Sequence, residues 1–583
     1  MTLDHIEDFF VRSIAAMQIP GATLSVIKDD KPLIHRGAGV RRLDGPAEDN
    51  AIDVDSLFMV CSLAKAFTAA SVGILVHRGQ LDWTTPVVTY LPEFALSDPE
   101  ITQRVTLVDL LAHRTGVVGD DDPLWVGDRG DIHAVESLLA IAPHLPLGGP
   151  FRASGFYSNF MVSVAALVVE RVSGQALPDF VDANICQPLG MRDGVWSLDE
   201  FYAHPKSARM HDVITPRTDV ATFAADVAYN PESPINVAAA RNPDDLGDDV
   251  EAAYKAAAEI AVEFKMHPQY ASQHRDYAGI GFFFSTANDM VKWGQCWANG
   301  GKSASGQQVL FELDTLTKLH NPHGSYQSDK QMRRGFRNLG FGCGWGIYQF
   351  GEYEVLLHTG GFIGAACLLA VVPSANLVVY VSETQSSFPI FSQLLLTTLH
   401  TLLPIHRADV DAYTVQRAAK LLPRAKSAML AHQGERLRTF LGESANPFAV
   451  GAAPTPLPAR WQEVCGNYAH KAFGIMSIVL DDSLDDQQLR VVRVPEANKR
   501  LYHMSAAIDA DAVKALKNQV TDPTMAFFTF PGSLVLYFRE VEVGKMTGPA
   551  CKISTGSVWQ PAKRYELVVM ESVSGIEIVF GRA

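Results

Sequence analysis

The chain has no run of about 18 consecutive apolar residues, the length a helix needs to cross a membrane. Its longest apolar runs, such as Ala366 to Val372, are strand-length. The opening Met1-Thr-Leu-Asp-His-Ile-Glu-Asp-Phe-Phe lacks a basic segment followed by an apolar one, so no signal peptide is expected. Basic residues are the minority: 49 Lys and Arg face 64 Asp and Glu, a net charge of −15. That balance argues against nucleic acid as a main partner, because phosphates are met by a basic face. Cysteine is scarce and unpatterned. Its seven residues form no CxxC, and an odd, scattered count fits reduced thiols in a cytoplasmic protein. The pair His320 and His323 has no third metal ligand spaced nearby, and Gly301-Lys302-Ser303 lacks the first glycine of a phosphate-binding loop, Cys296 standing in its place. The GxSxG of α/β-hydrolases is also missing. Neither a metal nor another cofactor is therefore expected.

What is present divides into segments, as 583 residues should. An amphipathic helix is read over 2–17. Two strand patterns, from Gly21 and from Lys31, flank Asp29-Asp30 as a hairpin. Helical spacing follows at 62–78, 104–113 and 160–173, then strand patterns at 342–349, 353–358, 365–372 and 376–382, then a helix at 389–403. Strands open the unit, helices fill it and strands close it. This is an α+β order in which the first hairpin can join the late strands in one antiparallel sheet. Residues 213–277 read as an insertion with an acidic, Ala-rich helix near 248–264, expected to wall the pocket. The Pro-rich stretch within 405–458 reads as a linker. From 459 onward short strands alternate (474–480, 488–494, 524–530, 533–541 and 565–580), suggesting a C-terminal antiparallel, barrel-like domain over 459–583.

Three short motifs carry chemistry. In Ser62-Leu-Ala-Lys65 the i, i+3 spacing on a helix start puts both side chains on one face. A serine hydroxyl is a weak nucleophile that needs a neighbouring base, and a lysine in a partly dry site gives up its proton more easily. Tyr157-Ser-Asn159 adds a phenol that can relay a proton. His358-Thr359-Gly360-Gly361 ends a strand pattern, where glycine lets the backbone approach a ligand closely. Each motif alone is common by chance.

In this order and with these surroundings the motifs resemble the serine β-lactamase and penicillin-binding-protein superfamily. The stretch Thr106-Leu-Val-Asp-Leu-Leu-Ala-His-Arg-Thr-Gly-Val, the segment Glu170-Arg-Val-Ser-Gly, Gln187-Pro-Leu-Gly-Met191, and Phe284-Ser-Thr-Ala-Asn-Asp-Met290 with Trp293 are similar to that family's segments. The resemblance spans roughly 5–403. It implies a catalytic domain over 1–404, an antiparallel sheet flanked by helices plus a helical subdomain. It also implies roles. Ser62 would attack a carbonyl, and Lys65 and Tyr157 would handle its proton, with the base of the two left open. Asn159 would bind Lys65 or a substrate amide. The N–H groups of Ser62 and Gly361 would hold the oxyanion. His358, with Thr359 and Gly360, would line the sheet side of the pocket. The third motif begins with His where β-lactamases and transpeptidases usually carry Lys. This resembles the D-aminopeptidases and esterases of the superfamily and argues against β-lactams as natural substrates. The expected function is a serine hydrolase acting on an ester or amide of a small molecule. The alternatives are an acyltransferase or thioesterase passing an acyl group from a thioester to a small acceptor, and a non-catalytic binding module. Cys465-Gly-Asn-Tyr468 resembles the β add-on of some of those peptidases, a domain that covers the active-site mouth or mediates a homo-oligomer.

Overall fold

A computed structural model of the chain describes residues 3–16, 19–43, 50–117, 139–153, 155–213, 261–263, 277–310, 336–362, 364–385 and 388–404, and eight strands between 466 and 582. The first hairpin forms as expected. Strands Gly21–Lys28 (β1) and Lys31–Gly39 (β2) pair antiparallel across Asp29-Asp30. Both turn residues have positive φ, 51° and 60°, the tight geometry that follows the right-handed twist of the strands. The late strands are Phe336–Phe341 (β3), Gly346–Phe350 (β4), Tyr353–Phe362 (β5), Ala365–Val372 (β6) and Leu377–Glu383 (β7). They complete a seven-stranded antiparallel sheet in the order β2-β1-β7-β6-β5-β4-β3. The N-terminal hairpin thus zips onto the end of the unit, with Leu24 opposite Val381 and Val26 opposite Val379.

The apolar run of β6 is continuous because both faces of the sheet are buried. Leu369 and Val371 point to one hydrophobic cluster, Leu368, Ala370 and Val372 to the other. On the second face helix Leu3–Ala16 (α1) lays down Ile6, Phe10 and Ile14, and helix Phe388–Leu402 (α5) lays down Phe391, Leu395 and Leu399. Burying each such side chain contributes about 1.5–3 kcal/mol. The first face meets helix Ala64–His77 (α2), buried on every side from Ala64 to Leu75, with helix Asn159–Ser173 (α3) against it and helix Ala287–Ala298 (α4) against β7. Phe67 of α2 stacks on Trp293 of α4 with ring centroids 4.2 Å apart.

Three expectations change. The strand read at 342–349 begins later, at Gly346: Gly342–Trp345 is a turn between β3, which lies before the expected range, and β4, and Gly344 has φ 79°. An added Cβ there would lie 3.0 Å from the Lys65 carbonyl oxygen, so glycine lets this turn close directly onto α2. The helix read at 104–113 shrinks to Leu107–Leu111. Within the insertion, Ala261–Glu263, read as helical, is a strand paired with His211–Val213, because cross-strand pairing overrides alanine's helical preference. The rest of 213–277 apart from Tyr277, the linker 405–458, and His320 and His323 lie outside the described residues.

The C-terminal strands Gly466–His470 (β8), Gly474–Asp481 (β9), Gln488–Arg493 (β10), Leu501–His503 (β11), Ala526–Phe528 (β12), Leu534–Val541 (β13), Arg564–Glu571 (β14) and Glu577–Arg582 (β15) form an antiparallel sheet. Its order is β11-β10-β9-β8-β15-β14-β13-β12. The antiparallel strands expected here are present, and among the described residues no pairing joins the two three-residue edge strands to close the barrel-like arrangement. No single described helix is long and apolar enough to cross a membrane.

Candidate active site

Ser62 sits on a 3-10 turn, Cys61–Leu63, that feeds straight into α2. The turn is sharp: Cys61 has φ 48°, uncommon for a residue with a side chain. It is anchored from outside by Val60, whose N–H donates to the Phe283 carbonyl at 2.9 Å. One turn on, Lys65 is wholly buried, and its ammonium donates to Ser62 Oγ at 2.9 Å and to the Ile280 carbonyl at 2.9 Å. The i, i+3 expectation thus appears as a direct hydrogen bond. The Ile280 carbonyl had no sequence signal, because a backbone acceptor 215 residues away is supplied by topology alone.

The third motif runs along the exposed end of β5, with His358 opposite Leu369 and Gly361 opposite Ala366 on β6. Gly360 packs tightly against the turn of Ser62. A Cβ there would lie 2.7 Å from the Val60 carbonyl oxygen and 2.8 Å from Cys61 Cβ. Its missing side chain therefore lets β5 close onto the turn that carries Ser62. Thr359 is half-buried and Gly361 is exposed beside this closure. His358 is buried. Its Nδ1 lies 2.6 Å from the Thr359 carbonyl oxygen, so that nitrogen carries the proton and donates. Burial, and then the Lys65 charge, push its pKa down to about 3. The ring is neutral at every ordinary pH.

Tyr157 precedes α3, whose first turn is capped by the Ser158 hydroxyl accepting from Met161 N–H at 3.2 Å; Asn159 is the first helical residue. The Tyr157 ring lies with its centroid 5.0 Å from Lys65 Nζ and 6.4 Å from the His358 ring. The structure thus gathers Ser62, Lys65, Tyr157 and His358 around one spot, with Phe341 of β3 edge-on to both the Tyr157 and His358 rings.

The segment before Tyr157 is held by a buried carboxylate. Asp109 accepts from Arg114 Nε at 2.5 Å, from Arg152 at 2.7 and 2.9 Å, and from Thr106 N–H at 2.9 Å. Burial raises its pKa, but the Arg152 and Arg114 hydrogen bonds outweigh this and hold it below the usual carboxylate range. A depressed carboxylate pKa stabilises the fold above the unfolded value, near 4, and the contribution fades as pH falls through the folded value. Asp109→Ala is therefore expected to cost about 3 kcal/mol at pH 7, the low end for breaking a buried pair because the arginines are partly exposed. In thermal unfolding the gap between variant and wild type should narrow below about pH 4. A gap unchanged across that range would refute the assignment.

A sheet covered on both faces, with a serine and a buried lysine on one helix start facing a glycine-bearing strand, defines a serine-hydrolase-type protein of the β-lactamase and penicillin-binding-protein class. The chain belongs to the Beta-lactamase family, whose pattern it matches over residues 6–392. It is 24% identical over 485 residues to the unguisins hydrolase ungD of Aspergillus violaceofuscus, covering 80% of this chain and 74% of that one. It is 32% identical over 206 residues to esterase EstB of Burkholderia gladioli, covering 32% of this chain and 50% of that one. The octameric penicillin-binding protein homologue from Pyrococcus abyssi shares the fold, with a TM-score of 0.53 at 16% identity over 98% of this chain and 97% of that one.

Proposed function

We propose that this chain hydrolyses an ester or amide of a small molecule through an acyl-enzyme on Ser62. The observation that carries the reading is the 2.9 Å hydrogen bond from a fully buried Lys65 to Ser62 Oγ. Ser62 Oγ attacks the carbonyl carbon as its proton passes to the deprotonated member of the Lys65–Tyr157 pair, the Tyr157 phenolate where Lys65 is the ammonium and the Lys65 amine where it is not. The N–H groups of Ser62 and Gly361 receive the oxyanion. The leaving alcohol or amine takes up the proton, and water, deprotonated by the same unit, releases the acid. The relatives named as a hydrolase and an esterase support water over another acceptor as the second nucleophile.

The neutral His358 bears on the substrate. A β-lactam carboxylate has to be met by positive charge, and an imidazole with a pKa of about 3 offers none at pH 7. Losing one charge-assisted hydrogen bond costs about 1.5–3 kcal/mol, roughly one to two decades in kcat/KM. Nitrocefin should therefore be turned over poorly beside a short p-nitrophenyl ester, and His358→Lys should narrow the gap. The pH profile should show no inflection near about 6.5 from this ring. Nitrocefin turnover rivalling the ester in wild type would refute the substrate assignment. Product analysis with added alcohol reads the second nucleophile directly, and transfer outrunning hydrolysis would refute the assignment to water.

A further inference from the structure

The backbone on both sides of Tyr157 is gripped by a residue that none of the three motifs contains. The His113 carbonyl accepts the N–H of Phe156 at 3.0 Å, and its Nδ1 accepts the N–H of Ser158 at 3.1 Å. One residue thus grips the backbone on both sides of Tyr157. Its ring lies against the Tyr157 ring, centroids 4.3 Å apart and tilted by 36°, with Phe341 on another side at 4.9 Å. We propose that His113 is the positioning residue that holds Tyr157 beside Lys65. The proposal rests on the reading of Ser62, Lys65 and Tyr157 as one acyl-transfer unit.

Two features argue that more than packing keeps a histidine here. His113 adopts φ 56°, a left-handed conformation that glycine or asparagine takes at less cost. Its Nε2 is buried with no hydrogen-bond partner among the described residues, a cost that an apolar ring would avoid. What only this side chain supplies is an aromatic face together with a ring acceptor at the right distance from Ser158. Because Nδ1 accepts, the proton of the neutral ring sits on Nε2, and the grip needs the ring uncharged. Burial, and then the Lys65 charge, press the ring toward that neutral form. A cation here would lose the acceptor and be repelled by the Lys65 charge.

Two substitutions separate the parts of the grip. His113→Phe keeps the ring contact and removes the acceptor. His113→Asn tolerates the left-handed backbone and can offer its amide oxygen to Ser158, but it removes the ring. Each is expected to lower kcat for a p-nitrophenyl ester about 10- to 100-fold with KM within about twofold, as a misplaced catalytic group does. In a Tyr157→Phe background the same changes should cost less than about threefold more, because nothing remains to position. Full kcat in either folded variant, or losses that multiply with Tyr157→Phe, would overturn the proposal. Nitrogen-15 spectra of the wild-type imidazoles decide the matter independently of how the variants fold. An Nε2–H tautomer unchanged from pH 5 to 8 supports the grip, and an Nδ1–H or titrating ring defeats it. Fluorophosphonate labelling of wild type keeps the two readings apart. Label on Ser62 with fully active His113 variants defeats only this proposal, whereas label elsewhere defeats the reading beneath it.

Discussion

Ser62→Ala is expected to lower ester turnover by on the order of 10⁴-fold or more, the size of loss seen when a serine nucleophile acting within a catalytic unit is removed. A fluorophosphonate should add its mass to the wild-type peptide carrying Ser62 and leave the variant unlabelled. The fold should survive. Ser62 is half-buried, its hydroxyl accepts one hydrogen bond from Lys65, and the Ile280 carbonyl still holds that ammonium when the hydroxyl is gone. A stability change within about 1 kcal/mol follows. Two other buried serines are committed elsewhere: Ser71 donates to the Phe67 carbonyl, and the Ser158 hydroxyl caps α3. Activity retained in Ser62→Ala, with label on another serine, would remove the nucleophile assignment.

Lys65 and Tyr157 should behave as one proton-handling unit. Tyr157→Phe and Lys65→Met are each expected to lower kcat by roughly two to four orders of magnitude, the range of general acid–base contributions. The double variant should lose little more than the worse single, because the 2.9 Å bond from Lys65 to Ser62 and the approach of Lys65 to the Tyr157 ring belong to one path. Methionine is the informative replacement at 65. It fills the volume of a wholly buried side chain, whereas alanine would add a cavity cost unrelated to chemistry. Losses that multiplied in the double variant would show two independent roles.

Elements whose information is local were legible in advance. The period-2 pattern of β1 and β2 around Asp29-Asp30, the unbroken apolar run of β6, and the spacing of Ile6, Phe10 and Ile14 on α1 each depend on residues a few positions apart. The pairing of Ser62 with Lys65 was legible for the same reason, since one helical turn fixes it. The reading missed β3 and placed Gly342–Trp345 in a strand, because that turn is set by contact with α2, not by its own residues. His113 was visible only as part of a matched segment. Its work is to accept from a residue 45 positions away, and no local pattern marks a ring nitrogen as an acceptor.

By itself, then, the sequence determined the order of strands and helices, the family and the three motifs, because periodicity and short spacings are written along the chain. Only the tertiary structure decided that the Ile280 carbonyl holds Lys65, that Gly360 admits β5 to the turn of Ser62, and that burial beside Lys65 keeps His358 uncharged. Each of these depends on a partner brought close by the closing of the sheet. Hydrogen bonding, steric clearance and desolvation act over a few ångströms of space, whatever the distance along the chain.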